Sequence, residues 1–230
     1  MPSTLWLPDA PPATAGALDD EFADASGGVP NGWTEVDHGS HMTVSEDAQG
    51  LIMTQATHAN NSVSGIYKAD PTGNITIWAK VGLSAGSGLS AAQVGLALWE
   101  DATSSTGNVV TFCLAPDGST RVETRTAYDA VATATDTEQW YSFNLPTHMY
   151  LRIRRTTATY TFDASLDGKG WQQQYSTGAL GFVPAQLGPC MWNVNTGLTV
   201  VGRLQFFRSI ASDVTVVGRM SGDRVRIRAA

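Results

Sequence analysis

Residues 150–171, "YLRIRRTTATYTFDASLDGKGW", decide how the rest of the chain is interpreted. Apolar Leu151 and Ile153 alternate with polar neighbours, which is the period-two pattern of a strand with one buried face. Tyr160 and Phe162 continue an apolar face. Asp-Gly at 167–168 suits a tight hairpin turn, because both of its central positions tolerate positive φ. The stretch predicts two antiparallel strands, and its role could be catalytic, sugar-binding or scaffolding.

Similar strand-like segments recur along the chain at short intervals, separated by clusters of turn-forming residues. Residues 74–84 alternate, with Ile75, Ile77, Ala79 and Val81 on one face. Residues 91–101 and 107–118 flank a polar turn and predict a second hairpin. No segment has a sustained helical period. About a dozen short strands with this spacing predict an all-β fold, an antiparallel sandwich or barrel.

Composition agrees with this fold class and restricts the partners. Charged residues make up 15% of the 230 residues, below the roughly 25% that is usual. The net charge of −7 gives no reason to expect binding to nucleic acid or anionic membranes. No apolar run is long enough to span a bilayer, and the N-terminus lacks the basic and apolar regions of a secretory signal. We therefore expect synthesis in a cytoplasm.

Catalytic motifs are weak. Some β-sandwich glucanases carry Glu-x-Asp-x-x-Glu on one strand, and residues 35–40, "EVDHGS", come nearest to it. Glu35 and Asp37 would share a strand face, but Ser40 stands where the third acid should be. There is no Gly-x-Ser-x-Gly nucleophile elbow, no histidine pair with helical metal spacing and no phosphate-binding glycine loop. These absences predict that the chain is not an enzyme.

Metal and disulfide signals are equally weak. Acidic clusters at 20–24, 99–103 and 136–138 could donate oxygens to calcium, but acidic solvated loops are the favoured interpretation. We predict no metal and no cofactor. Cys113 and Cys190 lie in apolar strand-like runs, which favours buried free thiols over a bridge.

The seven tryptophans could serve a core or a sugar platform, since sugars stack their C–H faces on aromatic rings. The strand pattern assigns Trp78 and Trp171 to the core. Arg152 and Arg154 lie on the solvent side of their strand, where sugar or inter-sheet contacts are open to them. The predicted carbohydrate-binding residues are Trp99, Trp140, Trp192, Asn193, Asn195, Arg152 and Arg154.

Both ends of the chain differ from its middle. Residues 1–18 are rich in proline, which favours an extended arm. Residues 213–230 are basic and predict a short C-terminal β-hairpin. The sandwich domain is expected over 19–212. The residues predicted to dock a partner are Leu5, Trp6, Leu7, Arg219, Arg224, Arg226 and Arg228.

The opening stretch resembles a strand pair of concanavalin A-like (laminin G-like) jelly-roll domains, including domains appended to glycoside hydrolases. The shared pattern comprises Leu151, Arg152, Arg154, Arg155, Tyr160, Ser165, Asp167, Gly168 and Trp171. Residues 18–36 resemble the family's opening, in which an Asp/Phe pair precedes a Trp that packs under the sheet. Residues 202–210 resemble its closing strand. The resemblance spans roughly 18–212 and implies a two-sheet jelly roll with a face often used for carbohydrate.

The terminal segments resemble those of bacteriophage virion components. Together these features predict a non-catalytic virion protein, a capsid decoration or tail component, that docks through its arms. Its expected partners are other virion proteins, further copies of itself and a host surface glycan. Its expected location is the phage particle. A carbohydrate-binding adhesin is the alternative, followed by a glycoside hydrolase or lyase.

Overall fold

The structure, a computed structural model, describes residues 16, 18–24, 27–37, 40–56, 62–84, 92–126, 134–136, 148–193 and 198–211. These residues form fourteen strands and no helix. The strands are β1 (Thr34–Val36), β2 (Met42–Asp47), β3 (Gly50–Gln55), β4 (Ser64–Ala69), β5 (Ile75–Ser84), β6 (Ala92–Trp99), β7 (Val109–Leu114), β8 (Thr120–Arg125), β9 (Ala134–Asp136), β10 (His148–Thr156), β11 (Thr159–Ser165), β12 (Gln172–Thr177), β13 (Gln186–Asn193) and β14 (Val200–Ala211).

The strands form two seven-stranded sheets. Sheet A has the order β12-β11-β10-β5-β14-β3-β2, and sheet B has the order β1-β4-β13-β6-β7-β8-β9. The pairings within both sheets are antiparallel. The predicted all-β, two-sheet antiparallel sandwich is therefore confirmed.

Alternation along the strands builds the core between the sheets. Ile75, Ile77 and Ala79 of β5 are buried, as their spacing predicts. Phe162 of sheet A meets Phe112 of sheet B edge to face, with ring centroids 5.6 Å apart. Each large apolar side chain buried in this way contributes roughly 1.5–3 kcal/mol.

The segment before β1 is joined to the closing strand. Asp20 pairs with Phe207 of β14 in an isolated antiparallel bridge. The Trp33 ring packs 5.7 Å from Phe22 and 5.2 Å from Phe207, and its Nε1 donates to Asp20 Oδ2 at 2.7 Å. This is the arrangement that the resemblance implies for the opening of the domain, with a tryptophan under the sheet.

The opening stretch forms the β10–β11 hairpin and the start of β12. Its second turn is not the expected two-residue turn, because six residues separate Ser165 from Gln172. Gly168 has a φ of 71°, whereas Asp167 is not among the described residues with positive φ. Instead, Asp167 Oδ1 accepts hydrogen bonds from the backbone N–H groups of Lys169 and Gly170. The Asp167 carboxylate, together with the left-handed backbone at Gly168, organises this loop.

Several predictions concern residues that the structure does not describe. The Pro-rich arm and the basic C-terminal hairpin lie almost wholly outside the described residues, so the predicted boundaries at 18 and 212 stay predictions. Among the described residues, no helix that could cross a membrane is present.

Candidate functional site

The outer face of sheet B, which points away from the sandwich core, carries a second cluster of buried side chains. In β6, Leu96 and Leu98 belong to the core, whereas Ala97 and Trp99 point outward. The outward cluster consists of Val36, Val63, Ala97, Trp99, Ala102, Val109, Cys113, Cys190 and Trp192. This explains why every residue of β6 is buried and why its sequence lacks polar alternation.

This outer face is concave. Across sheet B, Arg125 of β8 and Trp192 of β13 are separated by three strand spacings. Along the strand direction, Arg125 lies six residues from the position that aligns with Trp192. On a flat sheet their Cα atoms would lie about 24 Å apart. Their side chains nevertheless meet, with the Arg125 guanidinium 5.1 Å from the centre of the Trp192 ring. Twist and curvature of sheet B therefore bring Arg125 and Trp192, which lie diagonally across it, into contact.

Several polar atoms on this face are buried without a hydrogen-bond partner within the part of the chain that the structure describes. Four of them are Trp99 Nε1, Trp192 Nε1, Thr111 Oγ1 and Gln93 Oε1. Leaving a buried donor or acceptor unsatisfied costs about 1–3 kcal/mol, so native proteins rarely collect several of them in one place. A polar ligand would supply the missing partners.

A charged pair lies on the same face. Glu123 Oε2 accepts a hydrogen bond from Arg125 Nη2 at 2.7 Å, and Glu123 Oε1 accepts one from Gln93 Nε2 at 2.9 Å. Among the side chains that the structure describes on this face, Glu123 is the one carboxylate. Glycoside hydrolysis usually needs two carboxyls. Asp129 and Glu138, which follow β8 in sequence, lie outside the described residues.

The two cysteines meet beneath this face. Cys113 and Cys190 lie on either side of Gly95, with their Sγ atoms 3.6 Å apart, and both are free and buried. Burial raises the pKa of the Cys113 thiol well above its usual range, and the hydrogen bond with Cys190 adds to the shift. The prediction of buried free thiols is confirmed.

The partial glucanase motif does not contribute to this face. Val36 of β1 belongs to the outer cluster, so its neighbours Glu35 and Asp37 point the other way. Asp37 accepts hydrogen bonds from the Met42 N–H at 2.8 Å and from the Ser64 hydroxyl at 3.2 Å. Burial, and then the charge of Asp37, raise the pKa of Glu35. Asp37 thus closes the turn before β2.

On the opposite side of the sandwich, Arg152 and Arg154 lie on the outer face of sheet A, as expected. Both bind Asp163, which lies across from Arg152 on β11. The Arg152 guanidinium also stacks over Trp171, 4.1 Å from the ring centre. Burial lowers the pKa of Arg152, whereas the hydrogen bond to Asp163 raises that of Arg154.

The expected exposure of the tryptophans is wrong. Trp99 and Trp192 were expected at the surface, yet they are 0% and 7% exposed. Trp78 and Trp171 were assigned to the core, yet both are half-buried on the outer face of sheet A. The alternation rule places a side chain on a face but does not say which outer face is covered.

The remaining predicted site residues divide into two groups. Asn193 is buried and its Nδ2 donates to the carbonyl oxygens of Gln55 and Leu198, so it joins strands rather than facing a ligand. Trp140, Asn195 and all the predicted docking residues lie outside the described residues. Sequence reasoning missed Gln93, Thr111 and the Glu123–Arg125 pair, because polar residues inside apolar strands were the only signal.

No arrangement of three or more His, Cys, Asp or Glu side chains that could hold a metal ion occurs in the described ranges. Some of the acidic residues considered for calcium have other partners, among them Asp20, which accepts the Trp33 indole N–H. Asp101 Oδ1, for example, accepts hydrogen bonds from the backbone and hydroxyl of Thr103.

Comparison with known proteins supplies similar structures but no similar sequence. No family model matches the chain, and no curated protein matches it. The GH43 protein BlXynB of Bacillus licheniformis superposes with a TM-score of 0.63 at 15% identity, over 89% of this chain and 41% of that one. An endo-acting O-glycanase of the human gut microbiota gives 0.61 at 12% identity, over 86% and 99%. A β-glucanase of Bacillus licheniformis gives 0.59 at 12% identity, over 85% and 98%.

The fold is a concanavalin A-like jelly roll. At these identities the similarity establishes the fold alone. The jelly roll spans about two fifths of the length of the GH43 protein, and nearly all of the β-glucanase.

These neighbours contradict two predictions. A non-catalytic bacteriophage virion protein was expected, but the similar structures are glycoside hydrolases and none of those described above is a virion component. The same finding contradicts the prediction that the chain is not an enzyme. The virion interpretation depended on the general character of the two ends of the chain, which contain no specific motif. The predicted partners and location stay predictions.

Proposed function

We propose that this jelly-roll protein is carbohydrate-active and binds a glycan on the concave outer face of sheet B. The observation that supports this most is the group of four buried polar atoms without partners, on Trp99, Trp192, Thr111 and Gln93. Saccharides carry many hydroxyl groups that both donate and accept hydrogen bonds. They would therefore satisfy both the indole N–H donors and the Gln93 oxygen.

The rest of the face suits a sugar as well. Binding sites for small molecules are mostly apolar, with a few precisely placed polar groups. Here Trp99 and Trp192 provide large ring faces against which the C–H side of a pyranose can pack. The apolar cluster around them excludes water, which strengthens each hydrogen bond made to the ligand.

Access to the face predicts a kinetic property. Trp99 and Thr111 are completely buried, so a glycan reaches them only when this face opens. Binding that waits for a conformational change is slower than a typical encounter of about 10⁵–10⁷ M⁻¹s⁻¹. We expect an observed association rate that levels off as the glycan concentration rises.

Glu123 is the residue through which hydrolysis should be tested. Among the described residues it is the carboxylate at the concave face, and its hydrogen bonds to Arg125 and Gln93 hold it in place. If the protein is a glycosidase, a second carboxyl must approach Glu123. Release of reducing sugar by the wild type that disappears in Glu123→Gln would add catalysis to glycan binding.

Thr111→Val provides the sharpest test of the binding site. The change removes a buried hydroxyl without a partner and keeps the shape of the side chain, so stability should stay the same or rise. Affinity for the glycan should fall about fivefold or more, since one hydrogen bond to the ligand is lost. Calorimetry with xylan, β-glucan and mucin-type oligosaccharides would measure it.

Thr54→Val is the matched control, because Thr54 lies on sheet A and should affect neither property. Trp99→Phe would separately remove the indole N–H while keeping an aromatic ring. Failure of the wild type to bind any of the three glycan classes, or equal affinities of the wild type and Thr111→Val, would refute the proposal.

A further inference from the structure

The outer face of sheet A, on the opposite side of the sandwich, carries a cationic group that the proposed glycan site does not use. Arg152 lies between Asp163 of β11 and Trp78 of β5 in the ladder. Arg154 follows two residues later on the same face. Strand alternation therefore brings two guanidinium groups to one half-buried patch of surface.

Asp163 holds both arginines in fixed positions. Its Oδ2 accepts hydrogen bonds from Arg152 Nε at 2.9 Å and from Arg154 Nε at 2.7 Å, and its Oδ1 accepts one from Arg154 Nη2 at 3.0 Å. The Asp163 side chain is 2% exposed. One carboxylate faces two guanidiniums, so the group keeps a charge of +2 − 1 = +1.

Both arginines have guanidinium N–H groups that Asp163 does not bind. Arg152 uses only Nε on Asp163, and its two Nη groups have no hydrogen-bond partner among the described residues. Arg154 uses Nε and Nη2 and leaves Nη1. The two side chains are 21% and 41% exposed, so these donors are accessible.

Trp171 sets the plane of the nearer guanidinium. Its ring lies under Arg152, 4.1 Å from ring centre to guanidinium carbon. Asp167 organises the loop that carries Trp171, through hydrogen bonds from Lys169, Gly170 and the Ser165 hydroxyl. A guanidinium fixed by a carboxylate on one edge and by an indole below loses little freedom when it binds a ligand.

We propose that Arg152 and Arg154 bind an oxyanion of an acidic glycan, either the carboxylate of a uronic acid or a sulfate ester. The terminal N–H groups of a guanidinium form a planar fork that matches two oxygens of such an anion. Half-buried Trp78 and Trp171 on either side of Arg152 give the sugar ring an apolar contact. This proposal does not depend on the concave face, because the two surfaces lie on opposite sides of the protein.

Calorimetry at low salt with three probes tests it: an oligogalacturonate, a sulfated galactan oligosaccharide and neutral cellotetraose. We expect an acidic probe to bind and its affinity to fall about tenfold in Arg152→Gln and in Arg154→Gln, because each loses a charge-assisted contact. Binding of the oligogalacturonate alone identifies a carboxylate as the ligand, and binding of the sulfated probe alone identifies a sulfate. Raised salt should weaken the interaction.

Arg203→Gln is the matched control, since Arg203 is another half-buried outer-face arginine of sheet A, paired with Asp47. It should bind the acidic probe like the wild type. Arg154→Gln covers the case in which Arg152→Gln fails to fold, because the Arg154 side chain is the more exposed.

The proposal is overturned if neither acidic probe binds, if cellotetraose binds equally well at this patch, or if Arg203→Gln lowers the affinity for the acidic probe as much as Arg152→Gln does. Thr111→Val should leave the affinity for the acidic probe unchanged, which separates this site from the concave face.

Discussion

Arg155 of β10 and Asp70, in the connection between β4 and β5, form a two-pronged buried ion pair. Nη1 lies 2.5 Å from Oδ2, and Nη2 lies 2.8 Å from Oδ1. Because β4 belongs to sheet B and β5 to sheet A, the pair ties the crossover between the sheets to the end of β10. Burial acts to lower the pKa of Arg155, but the hydrogen bond and charge of Asp70 outweigh it and the pKa is raised.

Asp70→Asn should lower the free energy of unfolding by about 3–5 kcal/mol, because it leaves a buried guanidinium without its counter-charge. Urea denaturation followed by tryptophan fluorescence measures this. Asp47→Asn is the matched control, since the Arg203–Asp47 pair is only half-buried and reached by solvent, and should contribute at most about 1 kcal/mol. The double variant Arg155→Met with Asp70→Leu should recover most of the loss. Equal losses in Asp70→Asn and Asp47→Asn would show that the buried pair has no special role.

Cys113 and Cys190 should stay reduced in air and should not react in the folded protein. They lie on β7 and β13, with β6 between them, so their Cα atoms are two strand spacings, roughly 9 Å, apart. A disulfide needs about 4.4–6.8 Å. Titration with a thiol reagent should find no reactive thiol in native protein and both in urea. A protected pair that persists in urea without reductant would contradict this, since it would indicate a bridge.

Asp167 should make stability depend on acid pH. Backbone hydrogen bonds from Lys169 and Gly170, followed by the Ser165 hydroxyl, hold its pKa below the usual range. A lowered carboxyl pKa contributes stability that is complete above about pH 4 and is lost as the pH falls through the folded-state value. The stability difference between wild type and Asp167→Asn, from denaturation at several pH values, should therefore shrink below about pH 4. A difference that is constant with pH would mean that the carboxylate charge does not matter for the loop.

Asp20→Ala should cost about 2 kcal/mol, because it leaves the buried N–H of Trp33 without an acceptor. Asp20 also accepts the Phe22 N–H at 2.8 Å, so the loss combines two bonds. Trp33→Phe removes the indole donor while keeping an aromatic ring. In a double-mutant cycle the two changes should cost less together than the sum of the single changes. Strict additivity would show that Asp20 acts through its other partners, the Phe22 N–H and Lys68, and not through Trp33.

Prediction from sequence succeeded where alternation was clear. Residues 75–81 and 150–154 alternate apolar and polar side chains, and the structure buries the expected face of each. It failed where both faces of a strand are apolar. The sequence "AQVGLALW" of β6 contains no signal that separates Leu98, in the core, from Trp99, on the outer face. The unpartnered atoms of Gln93 and Thr111 could not be foreseen, because partners depend on neighbouring strands.

Local order along the chain determined the strands, the turns and the all-β class, since each depends on residues only a few positions apart. It also determined which arginines share a strand face. The tertiary structure alone decided which outer face is covered, which tryptophans are buried, and that Arg125 meets Trp192 across two intervening strands. Those properties follow from the twist of the sheets and from contacts between residues far apart in sequence, which a periodic pattern does not encode.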